Sequence, residues 1–193
     1  MTELERLNQQ LLDYFSEIEC IFLEQQKVLR LECSPGCYAC CLSRDVTATL
    51  LEMLPFAISL FQQGKAEQLF EELSETSQDN CYFFRKESVA GERGHCTIYP
   101  YRPILCRVFG AFPRHDKWSN VELSVCKKIK QENPILFDGA VKNLQHSDFE
   151  KSAFAETWRL KIMNLRPDIG IEEYPINSAA LQAITFASLY FRV

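Results

Sequence analysis

Histidines, glycines and basic residues are scarce in this sequence, and each shortage excludes a class of function. There are three histidines and seven glycines, and the 26 acidic residues outnumber the 21 basic ones, which gives a formal net charge of -5. A nucleic-acid-binding surface usually carries a basic excess, so we expect no nucleic-acid partner. The chain contains no glycine-rich phosphate loop and no zinc-protease motif.

The sequence also lacks a long apolar run. Its longest apolar segment, Leu50 to Phe61, contains Glu52 and Pro55 and is too short to span a bilayer. The first five residues include two acids and no basic residue, whereas a secretory leader begins with a basic region followed by an apolar one. We therefore expect a cytoplasmic protein with no membrane association.

Cysteine, in contrast, is abundant, with nine residues in the chain. In a reducing cytosol disulfides are rare, and clustered cysteines more often bind metal or carry out redox chemistry. Four of the nine occur in the pattern Cys33-x3-Cys37-x2-Cys40-Cys41. A two-residue gap lets a turn direct both sulfurs to one ion, and four thiolates favour zinc, Cu(I) or iron–sulfur clusters over hard cations. This loop is therefore predicted to bind metal.

The Cys40-Cys41 doublet leaves two interpretations open. Adjacent side chains diverge in an extended segment, so one ion would not take both thiols. Either the doublet serves two separate sites, or one of its thiols is spare or redox-active. Isolated cysteines are less informative, because they are usually small buried hydrophobes. Cys20 lies nearly opposite the apolar stripe of a predicted helix, and we assign it no role.

Hydrophobic residues make up 47% of the chain and include 14 phenylalanines, which is enough for a packed core. Capping boxes that begin at Thr2, Thr49 and Ser147, together with apolar periodicity, predict most of the helices. The predicted helices cover residues 3–31, 49–64, 65–76, 147–165 and 178–190. Two short β-prone segments begin at Cys81 and Cys96. We predict a mainly α fold, with helices packed around an irregular cysteine-rich metal-binding centre and at most a small β-hairpin.

We expect a single domain spanning residues 1–193. Its metal-binding core would be residues 33–126, flanked by the N-terminal helix 3–31 and by C-terminal helices within residues 134–190. The apolar faces of the terminal helices could pack against each other or against a second chain. A homodimer is therefore one of the expected alternatives.

Two separated segments carry a more specific pattern. They are Cys33-Ser34-Pro35-Gly36-Cys37-Tyr38-Ala39-Cys40-Cys41 and Cys96-Thr97-Ile98-Tyr99-Pro100-Tyr101-Arg102-Pro103-Ile104-Leu105-Cys106-Arg107-Val108-Phe109. In this order they resemble the YkgJ-type cysteine-cluster proteins, a family of zinc- or iron-chelating domains, and the resemblance covers roughly residues 33–126. It implies that the cysteines which follow the loop are ligands too. The implied metal ligands are Cys33, Cys37, Cys40, Cys41, Cys81, Cys96, Cys106 and Cys126.

Residues beside the cysteines have two interpretations each. Arg102 and Arg107 flank Cys106, where they could offset the negative charge of a metal–thiolate group or pair with nearby acids. His95 lies beside Cys96 and could be a ligand or tune a thiolate, but it could equally belong to a surface loop.

The leading hypothesis is a cytosolic metal-binding protein that chelates zinc or iron, including an iron–sulfur cluster, through the eight cysteines. The alternative is a metal-dependent enzyme, either methyltransferase-like or a redox catalyst, because flagellin lysine methylases have a similar cysteine pattern. Such an enzyme would use an open metal position or a free thiol. A third hypothesis is a carrier that hands metal on.

Radical S-adenosylmethionine enzymes share the Cys33-x3-Cys37-x2-Cys40 spacing, but Ala39 stands where they usually have an aromatic residue. No catalytic residue and no protein partner is assigned.

Overall fold

The computed structural model of the protein describes residues 1–31, 36–76, 80–87, 93–110, 112–125, 127–145 and 153–191. These residues form nine helices, which are α1 (Glu3–Leu29), α2 (Leu50–Gln62), α3 (Ala66–Glu75), α4 (Ile104–Val108), α5 (Lys127–Glu132), α6 (Pro134–Gln145), α7 (Ala155–Met163), α8 (Pro167–Gly170) and α9 (Ile176–Phe191). The six short strands are β1 (Thr47–Thr49), β2 (Phe84–Lys86), β3 (Gly94–Cys96), β4 (Phe112–His115), β5 (Val121–Ser124) and β6 (Glu173–Pro175). Two 3₁₀ turns, Ala39–Leu42 and Tyr99–Tyr101, lie in the cysteine-bearing segments.

Strands occur among the described residues only as three antiparallel pairs, so helices dominate the fold. β2 pairs with β3 in the region where a hairpin was predicted, with Phe84 opposite Cys96. β4 pairs with β5, and β1 pairs with the distant β6, with Ala48 opposite Tyr174. The predicted mainly α fold is confirmed. The prediction allowed at most a small β-hairpin, whereas the described residues form three short antiparallel pairs, because β1 also meets β6 from the far end of the chain.

The first helix begins at the predicted capping box. The Thr2 hydroxyl accepts from the Glu5 N–H at 3.2 Å, and the Glu5 carboxylate accepts from the Thr2 N–H at 2.7 Å. These two bonds satisfy N–H groups that have no partner within a helix. α1 ends at Leu29, two residues before the predicted end, because Arg30 adopts a left-handed conformation with φ 52°.

The second helix also begins at its predicted capping box, formed by Thr49 and Glu52. All ten residues from Leu51 to Leu60 are buried, so α2 is the central helix of the core. Pro55 lies inside α2, which continues to Gln62 without interruption. Proline in a helix interior costs about 3 kcal/mol, and burial of the whole segment offsets that cost.

The main core packs α2 against α1 and α9. It includes Leu11, Phe15 and Ile18 of α1, and among its largest fully buried side chains are Trp158 and Phe83. A smaller apolar cluster joins the end of α1 to β5, α5 and α6 through Leu29, Leu31, Leu123, Ile129, Ala140 and Leu144. The main core thus extends from the N-terminal helix to the last helix.

The C-terminal part is helical, as predicted. The last helix spans Ile176–Phe191, close to the predicted 178–190. The capping box predicted at Ser147 lies outside the described residues, and α7 is described from Ala155 onward. Within the described ranges no helix has both the length and the apolar content that crossing a bilayer would require.

Candidate metal centre

Six of the eight predicted ligands line one cleft of about 490 Å³. They are Cys37, Cys40, Cys41, Cys81, Cys96 and Cys106. The other two, Cys33 and Cys126, lie outside the described residues. Cys20 is exposed on α1 and does not line this cleft, which agrees with its being set apart in the sequence. Each of the seven described cysteines is a free thiol.

Backbone hydrogen bonds join the cysteine segments that are distant in sequence. The Cys81 N–H donates to the Cys41 carbonyl at 3.1 Å, and the Gly94 N–H donates to the Gly36 carbonyl at 3.2 Å. Gly36 has φ 75°, a left-handed conformation that glycine adopts at little cost, and it forms the turn immediately before Cys37. These bonds fix the first cysteine loop against the segment before β2 and against β3.

Close packing holds the β2–β3 pair against the first loop. The Tyr38 and Phe84 rings stack with centroids 4.7 Å apart. A Cβ atom at Gly94 would lie 2.2 Å from the Phe84 ring, so only glycine fits beneath that ring. Cys96 therefore enters the cleft from a strand whose position is set by aromatic stacking.

The Cys40-Cys41 doublet lies in a 3₁₀ turn, and its two thiols interact. A hydrogen bond from Cys41 lowers the pKa of Cys40 to about 6, although burial acts in the opposite direction. The same hydrogen bond, followed by burial, raises the pKa of Cys41. At neutral pH the pair therefore offers one thiolate and one thiol that donates to it.

Three other thiols of the cleft, those of Cys81, Cys96 and Cys106, have raised pKa values. Burial raises the pKa of Cys81 to about 11. Burial is also the largest cause of the raised pKa of Cys96 and of Cys106, and the positive charge of Arg102 opposes both shifts. Metal binding at this cleft would thus have to displace protons from buried sulfurs.

The donor set of the cleft fits zinc or iron, because soft thiolates are the ligands those metals take in Cys₄ sites and clusters. In the described part of the chain, however, no three cysteine, histidine, aspartate or glutamate side chains are placed so that they could hold one ion together. The described thiols share a cleft without three of them converging on one point.

The structure gives both arginines an acidic partner. Glu19 of α1 accepts from Arg102 Nη2 and from Arg107 Nη1, each at 3.2 Å. Arg107 is buried, and its burial followed by the nearby charge of Arg102 lowers its pKa to about 10. The interpretation that the arginines pair with a nearby acid is confirmed. Arg102 also lines the cleft, and its offset of a metal–thiolate charge stays a prediction. Glu19 carried no sequence signal, since it is one of several acids along α1.

The two described histidines each have a carboxylate partner. His95 is exposed and lies 3.2 Å from Glu87 through Nδ1. His95 and Glu87 both line the cysteine cleft, so His95 lies beside the thiols while it pairs with an acid. His115 pairs with Glu156 at 2.5 Å in a separate cavity of about 390 Å³ that no cysteine lines. His146 lies outside the described residues.

Comparison with known proteins agrees with the chemistry of the cleft. A family model named CxxCxxCC, described as "Putative zinc- or iron-chelating domain", matches residues 32–133. No curated protein and no solved structure matches the chain. The match spans more than half of the 193 residues and includes all eight predicted ligands. The chain therefore belongs to the CxxCxxCC family of zinc- or iron-chelating domains.

Proposed function

We propose that this protein binds zinc or iron in a cytosolic compartment, through a centre built from the eight cysteines. The observation that carries the proposal is that six thiols, from segments up to about seventy residues apart, line a single cleft. Buried cysteines that serve only as packing have no reason to gather on one cavity wall. A reducing compartment would keep these thiols available for metal.

The Cys40 thiolate is the expected first ligand. Its pKa of about 6 leaves it ionised at pH 7, so a metal ion can bind it without displacing a proton. The neighbouring thiols then lose their protons as they bind, because the charge of the ion stabilises each thiolate. The presence of eight cysteines allows two four-thiolate sites or one iron–sulfur cluster with spare thiols.

The direct test is elemental analysis of anaerobically purified protein, together with its visible spectrum. Near-stoichiometric zinc with no visible absorbance would indicate a Cys₄ site, whereas iron with a brown colour would indicate a cluster. Finding neither zinc nor iron at such levels would contradict the proposal.

The ligand assignment has its own test in paired substitutions. Cys37→Ser should lose metal, while Cys20→Ser should retain the wild-type content, because Cys20 is exposed and lies away from the cleft. Cys33→Ser and Cys126→Ser decide whether those two residues belong to the centre. Equal metal content in Cys37→Ser and Cys20→Ser would show that the assignment of Cys37 as a ligand and of Cys20 as a non-ligand is wrong.

A further inference from the structure

The N-terminal helix places one carboxylate against both arginines of the Cys96–Cys106 segment. Glu19 Oε2 lies 3.2 Å from Arg102 Nη2 and 3.2 Å from Arg107 Nη1. Glu19 and Arg102 both line the cysteine cleft. Glu19 nevertheless precedes residues 32–133, so the segment that matches the family does not include it. An element outside the cysteine motifs thus contributes a charge to the cleft.

The two guanidinium groups are fixed in place. Arg107, whose side chain is 5% exposed, donates to the Pro100 and Arg102 carbonyls and lies 4.4 Å from the Phe15 ring centroid. Arg102, 16% exposed, donates to the Tyr99 carbonyl and stacks over the Tyr99 ring at 3.5 Å. Desolvated charges that are rigidly held interact with their neighbours more strongly than exposed ones.

The charges of this group do not cancel. Two guanidinium groups share one carboxylate, which leaves one positive charge next to the thiols of the cleft. In the metal-free cleft the Cys40 thiolate can balance that one charge. A divalent metal held by four thiolates carries two net negative charges, so a buried cation beside the cleft would stabilise the metal-bound centre more than the metal-free one.

We propose that Arg102 is the cation that neutralises the metal–thiolate group of this cleft. Glu19 positions Arg102 and Arg107, and its negative charge weakens the electrostatic attraction between these arginines and the thiolates. The inference rests on the proposed function, since it presumes metal bound at the cysteines. Arg102 and Glu19 are positioning residues here and not ligands. The N-terminal helix is in consequence part of the centre.

The test uses the opposite changes in Zn²⁺ affinity that are expected when the positive charge of Arg102 or the negative charge of Glu19 is removed. Arg102→Met removes the compensating cation and should weaken Zn²⁺ binding by about 10- to 100-fold, the usual effect of losing a partner beyond the ligands. Glu19→Gln keeps an acceptor oxygen but removes the negative charge, so it should strengthen Zn²⁺ binding by about threefold to tenfold. Arg102→Lys restores the charge but not the stacking on Tyr99, so its affinity should lie between those of Arg102→Met and the wild type.

Zn²⁺ dissociation constants would be measured by chelator competition, with the Co²⁺–thiolate charge-transfer spectrum as a second readout. Glu17→Gln, an exposed acid on the same helix, and Arg114→Met, an exposed arginine on β4, are the matched controls and should bind like the wild type. Circular dichroism of the metal-free variants shows whether they fold. If Arg102→Met fails to fold, the Glu19→Gln variant alone tests the inference: stronger Zn²⁺ binding supports it and weaker binding contradicts it.

A purely structural network would weaken binding in both variants, because either substitution loosens the segment that carries Cys106. Weaker binding by Glu19→Gln, or wild-type binding by Arg102→Met, would therefore overturn the inference while the wild type still binds Zn²⁺. A wild-type protein that binds neither Zn²⁺ nor Co²⁺ would instead overturn the proposed function itself.

Discussion

At the residue scale, the Cys40-Cys41 doublet shows how local backbone geometry changes what adjacent thiols can do. In an extended segment neighbouring side chains point to opposite faces, but a 3₁₀ turn rotates them by only about 120°. Both thiols therefore line the cleft, and one donates to the other. That hydrogen bond separates their pKa values and leaves Cys40 as the acidic thiol of the pair. The two alternatives for the doublet, two separate sites or one spare or redox-active thiol, stay predictions.

Metal affinity should depend steeply on pH. Cys81, Cys96 and Cys106 have raised pKa values and are protonated at neutral pH, so each must lose a proton to bind. Binding should weaken as the pH falls, by about tenfold per pH unit for each proton displaced. Chelator competition between pH 6.5 and 8.0 measures the slope, and an indicator dye counts the protons released. An affinity that does not change over this range would contradict the prediction, and Cys20→Ser provides the control.

At the scale of elements, two copies of the same capping box have different surroundings. Glu5 closes the box at α1 on an exposed surface, whereas Glu52 at α2 is 8% exposed. Glu52 also accepts from the Ile104 N–H at 2.9 Å, so it anchors the start of the short helix α4 that carries Cys106. One side chain therefore connects the central helix to the metal-binding segment.

Replacing these two acids should have unequal effects. Glu52→Ala would leave the buried N–H groups of Thr49 and Ile104 without a partner and should lower the free energy of unfolding by about 2–4 kcal/mol. Glu5→Ala leaves the Thr2 N–H group without its carboxylate acceptor, but water can replace that acceptor. The substitution should therefore lower the free energy of unfolding by at most about 1 kcal/mol. Urea unfolding of both variants measures the difference, and similar losses would show that Glu52 is no more than a helix cap.

At the scale of the whole molecule, the main core is large and extends to the wall of the cysteine cleft. Cys81 belongs to the core, Cys41, Cys96 and Cys106 pack against it, and most of its members are apolar side chains of the helices. Small domains that depend on metal for folding usually lack such a core. The helices here have a source of stability that metal does not provide.

Removing metal should therefore leave the helices intact. After chelation under reducing conditions, far-UV circular dichroism should change little, while amide hydrogen exchange should rise in residues 36–41 and 93–106. Those segments carry the described cysteines of the cleft, except Cys81, and would lose their common ion. A cooperative loss of helical signal on chelation would show instead that the metal maintains the whole fold.

The sequence by itself determined the helices that its capping boxes and apolar periodicity mark, because those signals act within a few residues. It also predicted the first cysteine loop as a ligand set, since four thiols at that spacing have a chemical reason to be together, and that assignment stays a prediction. Tertiary structure alone decided that Cys81, Cys96 and Cys106 line the cleft with that loop, and that β1 pairs with the distant β6. It alone placed Glu19 between Arg102 and Arg107. The physical reason is the same in each case: these contacts join residues far apart in the chain, and which of many similar acids or cysteines meet depends on how α1 and α2 pack.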